Sequence, residues 1–334
     1  MKNILVTGGC GFIGSNFVHY LYDKYPDYRI FVLDILTYAG NPENLADIEA
    51  KEMNVPEGEG RYVFVKGDVS DEDMLNELFE KNKFAYVYHF AAESHVDRSF
   101  FNFSNFVQTN IEGALLLAMM VQRYGGTMVQ ISTDEVYGSI PEERGFVKED
   151  APFYPANPYA SSKAAADMLL QSYMNTSKVS LRIVRATNNY GPYQYPEKLI
   201  PLAITNLLEG KKIPLHGSGE HLRQWLHVRD FCAAIDLVSL KGEENGIYNV
   251  AGEHESNIDV LRLVAQYLGK NLEENLDRVS DRPNPDMRYA IDSAKLEALG
   301  WKRKYSFRKE LPNVIEWYRT NEDWWKKLKR KKEY

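Results

Sequence analysis

Through the first half of the chain, short apolar runs rich in β-branched residues alternate with longer stretches of mixed character. The runs Ile4–Thr7, Ile30–Asp34, Tyr62–Lys66, Tyr86–Phe90, Met128–Ser132 and Leu181–Arg185 have the length and composition of strands buried on both faces. Between them, apolar positions recur at helical spacing over Ile13–Lys24, Glu72–Lys81, Phe106–Tyr124 and Pro158–Asn175. Strands alternating with helices predict right-handed βαβ units, and so an α/β fold with a doubly wound, parallel, Rossmann-type sheet. Within the third helix, Ala114–Val121 is apolar nearly all round, which predicts burial on more than one side, by core packing or by a subunit interface.

After Arg185 the texture changes. Loops rich in Gly, Pro and Tyr, at Asn188–Pro196, Pro214–Gly219 and Asp281–Asp286, separate fewer and shorter elements, with helices expected at Lys198–Leu208, Asp230–Leu240 and Asn257–Leu268. The expected division is a dinucleotide-binding domain over residues 1–187 and a smaller C-terminal lobe over residues 188–334, with part of the chain free to cross back. A cleft between the lobes is the expected substrate site.

Composition narrows the classes. The 334 residues carry a formal net charge of −7, which leaves no basic excess for nucleic acid or a membrane surface. The one local exception, Lys326-Lys327-Leu328-Lys329-Arg330-Lys331-Lys332, reads as the solvated face of a last helix whose cations suit its C-terminus. Met1-Lys2-Asn3 runs straight into an apolar strand, leaving no room for a signal peptide, and no run approaches the ~18 apolar residues of a spanning helix. Only Cys10 and Cys232 are present, so no disulfide or zinc framework is expected and the cytoplasm is the natural compartment. The histidines show no metal-ligand spacing, and no metal is expected; His95 is placed near the active site without being a ligand. Trp301, Trp317, Trp324 and Trp325 read as terminal packing.

Directly after the first strand comes Gly8-Gly9-Cys10-Gly11-Phe12-Ile13-Gly14. Small residues let the chain turn sharply, let backbone approach a pyrophosphate and let the helix pack close to the strand. The N–H groups that open the helix then face the anion. Asp34 ends the second strand twenty residues after Gly14, where a carboxylate accepts from ribose hydroxyls and repels a 2′-phosphate. These positions predict NAD rather than NADP.

Tyr159 and Lys163, at i and i+4 of a helix, share one face. A free phenol, with a pKa of about 10, is a poor base at neutral pH; a nearby ammonium and the positive nicotinamide ring both favour its phenolate. Together with Gly67-Asp68-Val69, Phe90-Ala91-Ala92, Thr109-Asn110, Ser132-Thr133 and Asn188-Asn189-Tyr190-Gly191-Pro192, these segments resemble the extended short-chain dehydrogenase/reductase family over essentially the whole chain. The resemblance implies that Asp68 and Val69 meet the adenine, that Ala91, Ala92 and Thr109 line the cofactor cleft, that Thr37 and Asn189 also touch the cofactor, and that Lys163 holds the nicotinamide ribose.

Within that family, Ser132-Thr133-Asp134-Glu135-Val136-Tyr137-Gly138 resembles the sugar-nucleotide 4,6-dehydratases. Relatives that only epimerise C4 tend to carry a shorter, uncharged link. Eliminating water needs a base at the C5 hydrogen and an acid at the C6 hydroxyl; the resemblance assigns Glu135 and Asp134 to those roles, beside Thr133. It implies dTDP-glucose as substrate, held by Ser94, Asn188, Lys198, Leu199, Pro214, His216, Arg223, Asn257, Asp281, Arg282, Arg288 and Tyr289. Arginine suits this because its planar fork meets phosphate oxygens in pairs. The chain departs from the pattern at His216, where a tyrosine is usual, and at Asn284-Pro285, where Gly-His is common. The resemblance further implies a homodimer formed by the helices at Phe106–Tyr124 and Pro158–Asn175. A 4-epimerase, a dehydratase for another nucleotide-hexose and a non-catalytic NAD-binding sensor are the competing readings; the acidic pair argues against the first, and intact Thr133, Tyr159 and Lys163 against the last.

Overall fold

The computed structural model describes residues 1–56, 58–281 and 285–330. The six expected strands form within one or two residues of their predicted ends: β1 (Lys2–Thr7), β2 (Tyr28–Asp34), β3 (Tyr62–Lys66), β4 (Tyr86–His89), β5 (Thr127–Thr133) and β6 (Ser180–Ala186). Six more follow: β7 (Asn188–Tyr190), β8 (Ile213–His216), β9 (Leu222–His227), β10 (Ile247–Val250), β11 (Glu253–Ser256) and β12 (Leu276–Val279). The main sheet has seven strands in the order β10-β6-β5-β4-β1-β2-β3, all paired in parallel. Side chains alternate between its faces, as the two-residue period of a strand requires. Ile4, Val6, Ile30 and Val32 enter one core with Phe17 and Leu21 of the helix Phe12–Lys24. Leu5, Phe31 and Leu33 enter the other, with Leu117 and Leu170 of the helices Gly113–Tyr124 and Pro158–Thr176. Strand order reverses between β1 and β4, and the crevice beyond their carboxyl ends is where such sheets bind ligands.

The C-terminal half crosses back. The helix Val228–Lys241 and β10 pack into the first core through Phe231, Ile235 and Tyr248, and Trp301 joins them. A third core gathers the helices Leu199–Leu208, Asn257–Tyr267, Phe307–Thr320 and Glu322–Arg330 around Ile204, Leu261, Ile315 and Trp325. The tryptophans thus pack near the C-terminus as expected. The basic last helix is less solvated than its charge suggests: Trp324, Trp325 and Leu328 are buried, while Lys326, Lys327 and Lys329 pair with Glu322, Glu43 and Glu209. Lys331 and Lys332 lie outside the described residues. Among the described residues no helix is long and apolar enough to cross a membrane.

Two expectations need correction. The loops expected at Asn188–Pro196 and Pro214–Gly219 contain β7 and most of β8, and β9, β10, β11 and β12 were not anticipated; all are short and several are largely polar, so cross-strand pairing rather than local pattern creates them. The helix expected at Phe106–Tyr124 is also not continuous. One turn over Phe103–Phe106 leads into a wider π turn, Val107–Glu112, before regular helix resumes at Gly113. Such turns carry an extra residue and gather at functional sites. Here the side chain of Asn110 pins it, accepting from the Glu93 N–H at 2.9 Å and donating to the Glu93 carbonyl at 3.0 Å and to Ser162 Oγ at 2.8 Å.

Candidate active site

β1 delivers the glycine loop to the crevice. Gly8 sits at φ +65, and a Cβ there would fall 2.6 Å from the Ala91 nitrogen at the end of β4. A Cβ on Gly14 would fall 2.2 Å from the Gly8 carbonyl oxygen. Only glycine permits this approach of strand, loop and helix. The helix that follows is capped by Gly11 with no side-chain hydrogen bond, so its first N–H groups, which have no intrahelical acceptor, remain available to an anion. Asp34, at the end of β2, is buried and accepts from the Cys10 and Leu36 N–H groups at 2.9 and 2.8 Å. Burial raises its pKa and those two backbone donors pull it back. The donor set and the close-fitting backbone match the needs of NAD.

The cleft encloses about 450 Å³. Gly8, Gly11, Phe12, Ile13, Gly14, Asp34, Thr37, Asp68, Val69, Ala91, Ala92, Thr109 and Asn189 all line it, as do Thr133, Asp134, Glu135, Tyr159 and Lys163. Lys163 is buried and donates from Nζ to the Ile131 carbonyl at 2.6 Å; burial pulls its pKa down to about 8, with Asp167 opposing. Desolvation and the Glu135 carboxylate raise the Tyr159 phenol, while a hydrogen bond with Thr133 lowers it.

The acidic pair sits on a tight turn, Asp134–Tyr137, whose cap is Thr133: its Oγ1 accepts from the Glu135 N–H at 3.2 Å. Asp134 is 3% exposed. Its Oδ1 takes a 3.3 Å bond from Thr133, and its Oδ2 has no hydrogen-bond partner among the described residues. Desolvation, then Glu135, push its pKa well above the usual carboxylate range. Glu135 is raised too, by desolvation, but Asn157 donates to its Oε2 at 3.2 Å and Arg223 pulls in the same direction. Two adjacent carboxyls in unequal surroundings are set up as an acid and a base.

On the substrate side, Ser94, Asn188 and Lys198 line the cleft, with Lys198 Nζ donating to the Ser94 carbonyl at 3.2 Å. Leu199, Pro214, His216, Arg223, Asn257, Asp281, Arg288 and Tyr289 lie outside its lining. All of these except Leu199 and Pro214 interlock next to the cleft. His216 meets the Ser280 carbonyl, His221 pairs with Asp281 at 2.9 Å, and the Asn257 N–H donates to the His221 carbonyl. Arg223 donates to the Asp286 carbonyl at 2.7 Å and stacks over Tyr289, and Arg288 pairs with Leu222. Arg223 lowers both Asp134 and Glu135, which joins this cluster electrostatically to the acidic pair. Pro285 is described; Arg282 and Asn284 lie outside the described residues.

Sequence reasoning passed over Tyr38, Glu93, Gln194 and Tyr195, which also line the cleft. Tyr38 donates to Glu197 at 3.1 Å and carries Arg98 above its ring. None of these lies in a motif. Asn157, which positions Glu135, had a legible signal: Asn followed by Pro158 is a helix start, and its side chain does cap the Tyr159 helix at 2.8 Å.

The sequence profile of the family described as GDP-mannose 4,6 dehydratase matches residues 5–313. The chain is 42% identical to a dTDP-glucose 4,6-dehydratase of Streptomyces antibioticus over 98% of its own length and 96% of that protein. It is 39% identical to dTDP-glucose 4,6-dehydratase 1 of Escherichia coli over 96% of its length and 94% of that protein. The chain belongs to this family of sugar-nucleotide 4,6-dehydratases. Among solved structures of such dehydratases, the Bacillus anthracis protein in complex with NAD superposes with a TM-score of 0.89 at 42% identity, covering 98% of this chain and all of that one. The Streptomyces venezuelae protein, also with NAD, gives 0.91 at 42% and the same coverage. A UDP-glucose 4-epimerase of Thermotoga maritima shares the fold at 0.85 but only 27% identity over 96% of this chain.

Proposed function

We propose that the protein dehydrates dTDP-glucose to dTDP-4-keto-6-deoxyglucose with NAD as a recycled cofactor. The observation that carries this reading is the Asp134–Glu135 pair, set in the same cleft as Tyr159 and Lys163 and held in unequal protonation environments. NAD, when bound, supplies the acceptor and donor of hydride and a positive ring that favours the Tyr159 phenolate. Gly8 to Gly14 would receive its pyrophosphate, Asp34 its adenosine ribose and Lys163 the nicotinamide ribose.

Tyr159 removes the proton of the C4 hydroxyl, with Thr133 hydrogen-bonded to the same phenol. A ketone at C4 acidifies C5–H, and Glu135, steadied by Asn157, takes that proton. Asp134, kept protonated by burial, gives its proton to the C6 oxygen, which leaves as water; C6 would then receive the hydride that left C4, and Glu135 would return a proton to C5. Arg223 and the residues interlocked with it provide the cation and shape for the nucleoside diphosphate. The product is a precursor of deoxysugars such as rhamnose, and buried, unpaired Cys10 and Cys232 suit a reducing cytoplasm.

The same reading includes a homodimer. The adjoining helices Gly113–Tyr124 and Pro158–Thr176, joined by a 2.5 Å bond from Tyr173 to Gln122, leave Met119, Met168 and Leu169 37%, 62% and 43% exposed. A second copy of this face would cover them.

The test is incubation with dTDP-glucose, UDP-glucose and GDP-mannose, scoring 4-keto-6-deoxy products. The highest kcat/KM is expected with dTDP-glucose. A comparable value with another nucleotide overturns the substrate, and the absence of a keto-deoxy product from all three overturns the reaction.

A further inference from the structure

The glycine loop is held from outside the cleft as well as within it. Both peptide groups of Cys10 are tied. Its N–H donates to Asp34 Oδ2 at 2.9 Å, and its carbonyl accepts from the Asn44 side chain at 2.9 Å and the Asn41 N–H at 3.0 Å. Asn44 is 2% exposed, and its Oδ1 accepts the indole N–H of Trp324 at 2.9 Å. Trp324 belongs to the last helix, 280 residues along the chain from Asn44. A continuous chain of buried hydrogen bonds therefore runs from the C-terminal helix to the loop that faces the pyrophosphate, and on to the ribose carboxylate. The opposite wall is held by the same end of the chain: the Leu328 carbonyl accepts from Tyr195 at 3.3 Å, and Tyr318 donates to the Gln194 carbonyl at 2.6 Å.

We propose that Asn44 and Trp324 are positioning residues for NAD, fixing the Cys10 peptide so that the loop amides and Asp34 are aimed before the cofactor arrives. This rests on the assignment of NAD to the cleft. A loop ordered in advance loses less freedom on binding, so releasing it weakens retention of the cofactor even though neither side chain is asked to touch it. Without the indole N–H, the buried Asn44 Oδ1 keeps only the longer bond from Asn41 Nδ2 at 3.4 Å, a loss comparable to about tenfold in an equilibrium constant.

The experiment follows the exchange of protein-bound NAD for excess isotope-labelled NAD, read by mass spectrometry of the bound fraction. Trp324→Phe keeps the ring and removes the donor; Asn44→Ala removes the relay. Each is expected to speed exchange about tenfold, and the double variant to add less than twofold to the faster single one, because both act through one chain of bonds. Trp301→Phe is the control. It removes a similar buried bond, from Trp301 to the Asp230 carbonyl at 3.2 Å, and should leave exchange within twofold of the parent. Unchanged exchange in Trp324→Phe, or equal acceleration in Trp301→Phe, overturns the proposal. A parent protein that holds no NAD would instead overturn the cofactor assignment.

Discussion

Asp134 and Glu135 are neighbours with nearly the same intrinsic acidity, and their surroundings separate them. Asp134 is sealed against solvent with one oxygen unpartnered among the described residues, while Glu135 accepts from Asn157; Arg223 favours both anions. Asp134→Asn and Glu135→Gln should each lower formation of the 4-keto-6-deoxy product by about 10²–10⁴, and Glu135→Gln should also abolish solvent-deuterium incorporation at C5. Parent rates in both would make the pair structural. At the other end of the cleft, Asp34→Ala should weaken NAD binding and narrow its preference over NADP, because the repulsion of a 2′-phosphate is gone; titration with both cofactors decides it. Asp34 stood out by its place at the end of the second strand after the glycine loop, and Asp134 and Glu135 only through a family resemblance; all three line the cleft. The inequality of the acidic pair was not legible, because it arises from burial and from Asn157, which lies 22 residues beyond Glu135 in sequence and donates to that carboxylate alone.

Among the elements, β1 to β6 were legible because a strand covered on both faces must be apolar throughout, whereas β10 of the same sheet was not anticipated. The short strands paired outside that sheet were not either: β11 reads Glu-His-Glu-Ser, and only its pairing with β9 makes it a strand. The π turn was illegible for a related reason, since its pin, Asn110, bonds to residues on two other segments. One buried cation links the acidic turn to the Tyr159 helix. Arg185 is fully buried; its Nε donates to Asp167 at 2.8 Å on the Tyr159 helix, and its Nη1 donates to the Tyr137 hydroxyl at 2.6 Å on the acidic turn. Tyr137→Phe keeps the ring and cuts this link. It should lower kcat about tenfold with KM within twofold, at a stability cost of about 1–2 kcal/mol, measured by steady-state kinetics and urea unfolding. A loss of stability with kcat intact would confine Arg185 to the fold.

At the scale of the whole molecule, assembly and acid sensitivity are both open to test. If the Met119–Met168 face is the subunit contact, Met168→Glu places a charge in an apolar interface and should give monomers by light scattering; an unchanged oligomer would move the interface elsewhere. His89 is buried, bonds Thr7 at 2.7 Å, and has its pKa pulled down to about 3 by burial, with Lys163 adding to the shift. An unfolded histidine titrates near 6.5. Between those values the unfolded chain binds the extra proton, so stability contributed by neutral His89 is present above about pH 6.5 and falls as pH falls, by at most about 1.4 kcal/mol per pH unit. His89→Gln should flatten that slope in urea midpoints taken from pH 7 to 4; an identical slope would assign the acid sensitivity to other groups. The crossing of the chain back into the first core also bears on how the protein is made. A ribosome that has released only residues 1–187 has delivered the glycine loop, the acidic turn and the Tyr159 helix. The outer edge of β6 still lacks β10, and the sheet face served by the helix Val228–Lys241 is bare. Such an edge is open to pairing with other chains, so the nascent protein is most vulnerable to aggregation during synthesis of its last third, and a truncated message would yield a sticky fragment in place of a small working enzyme.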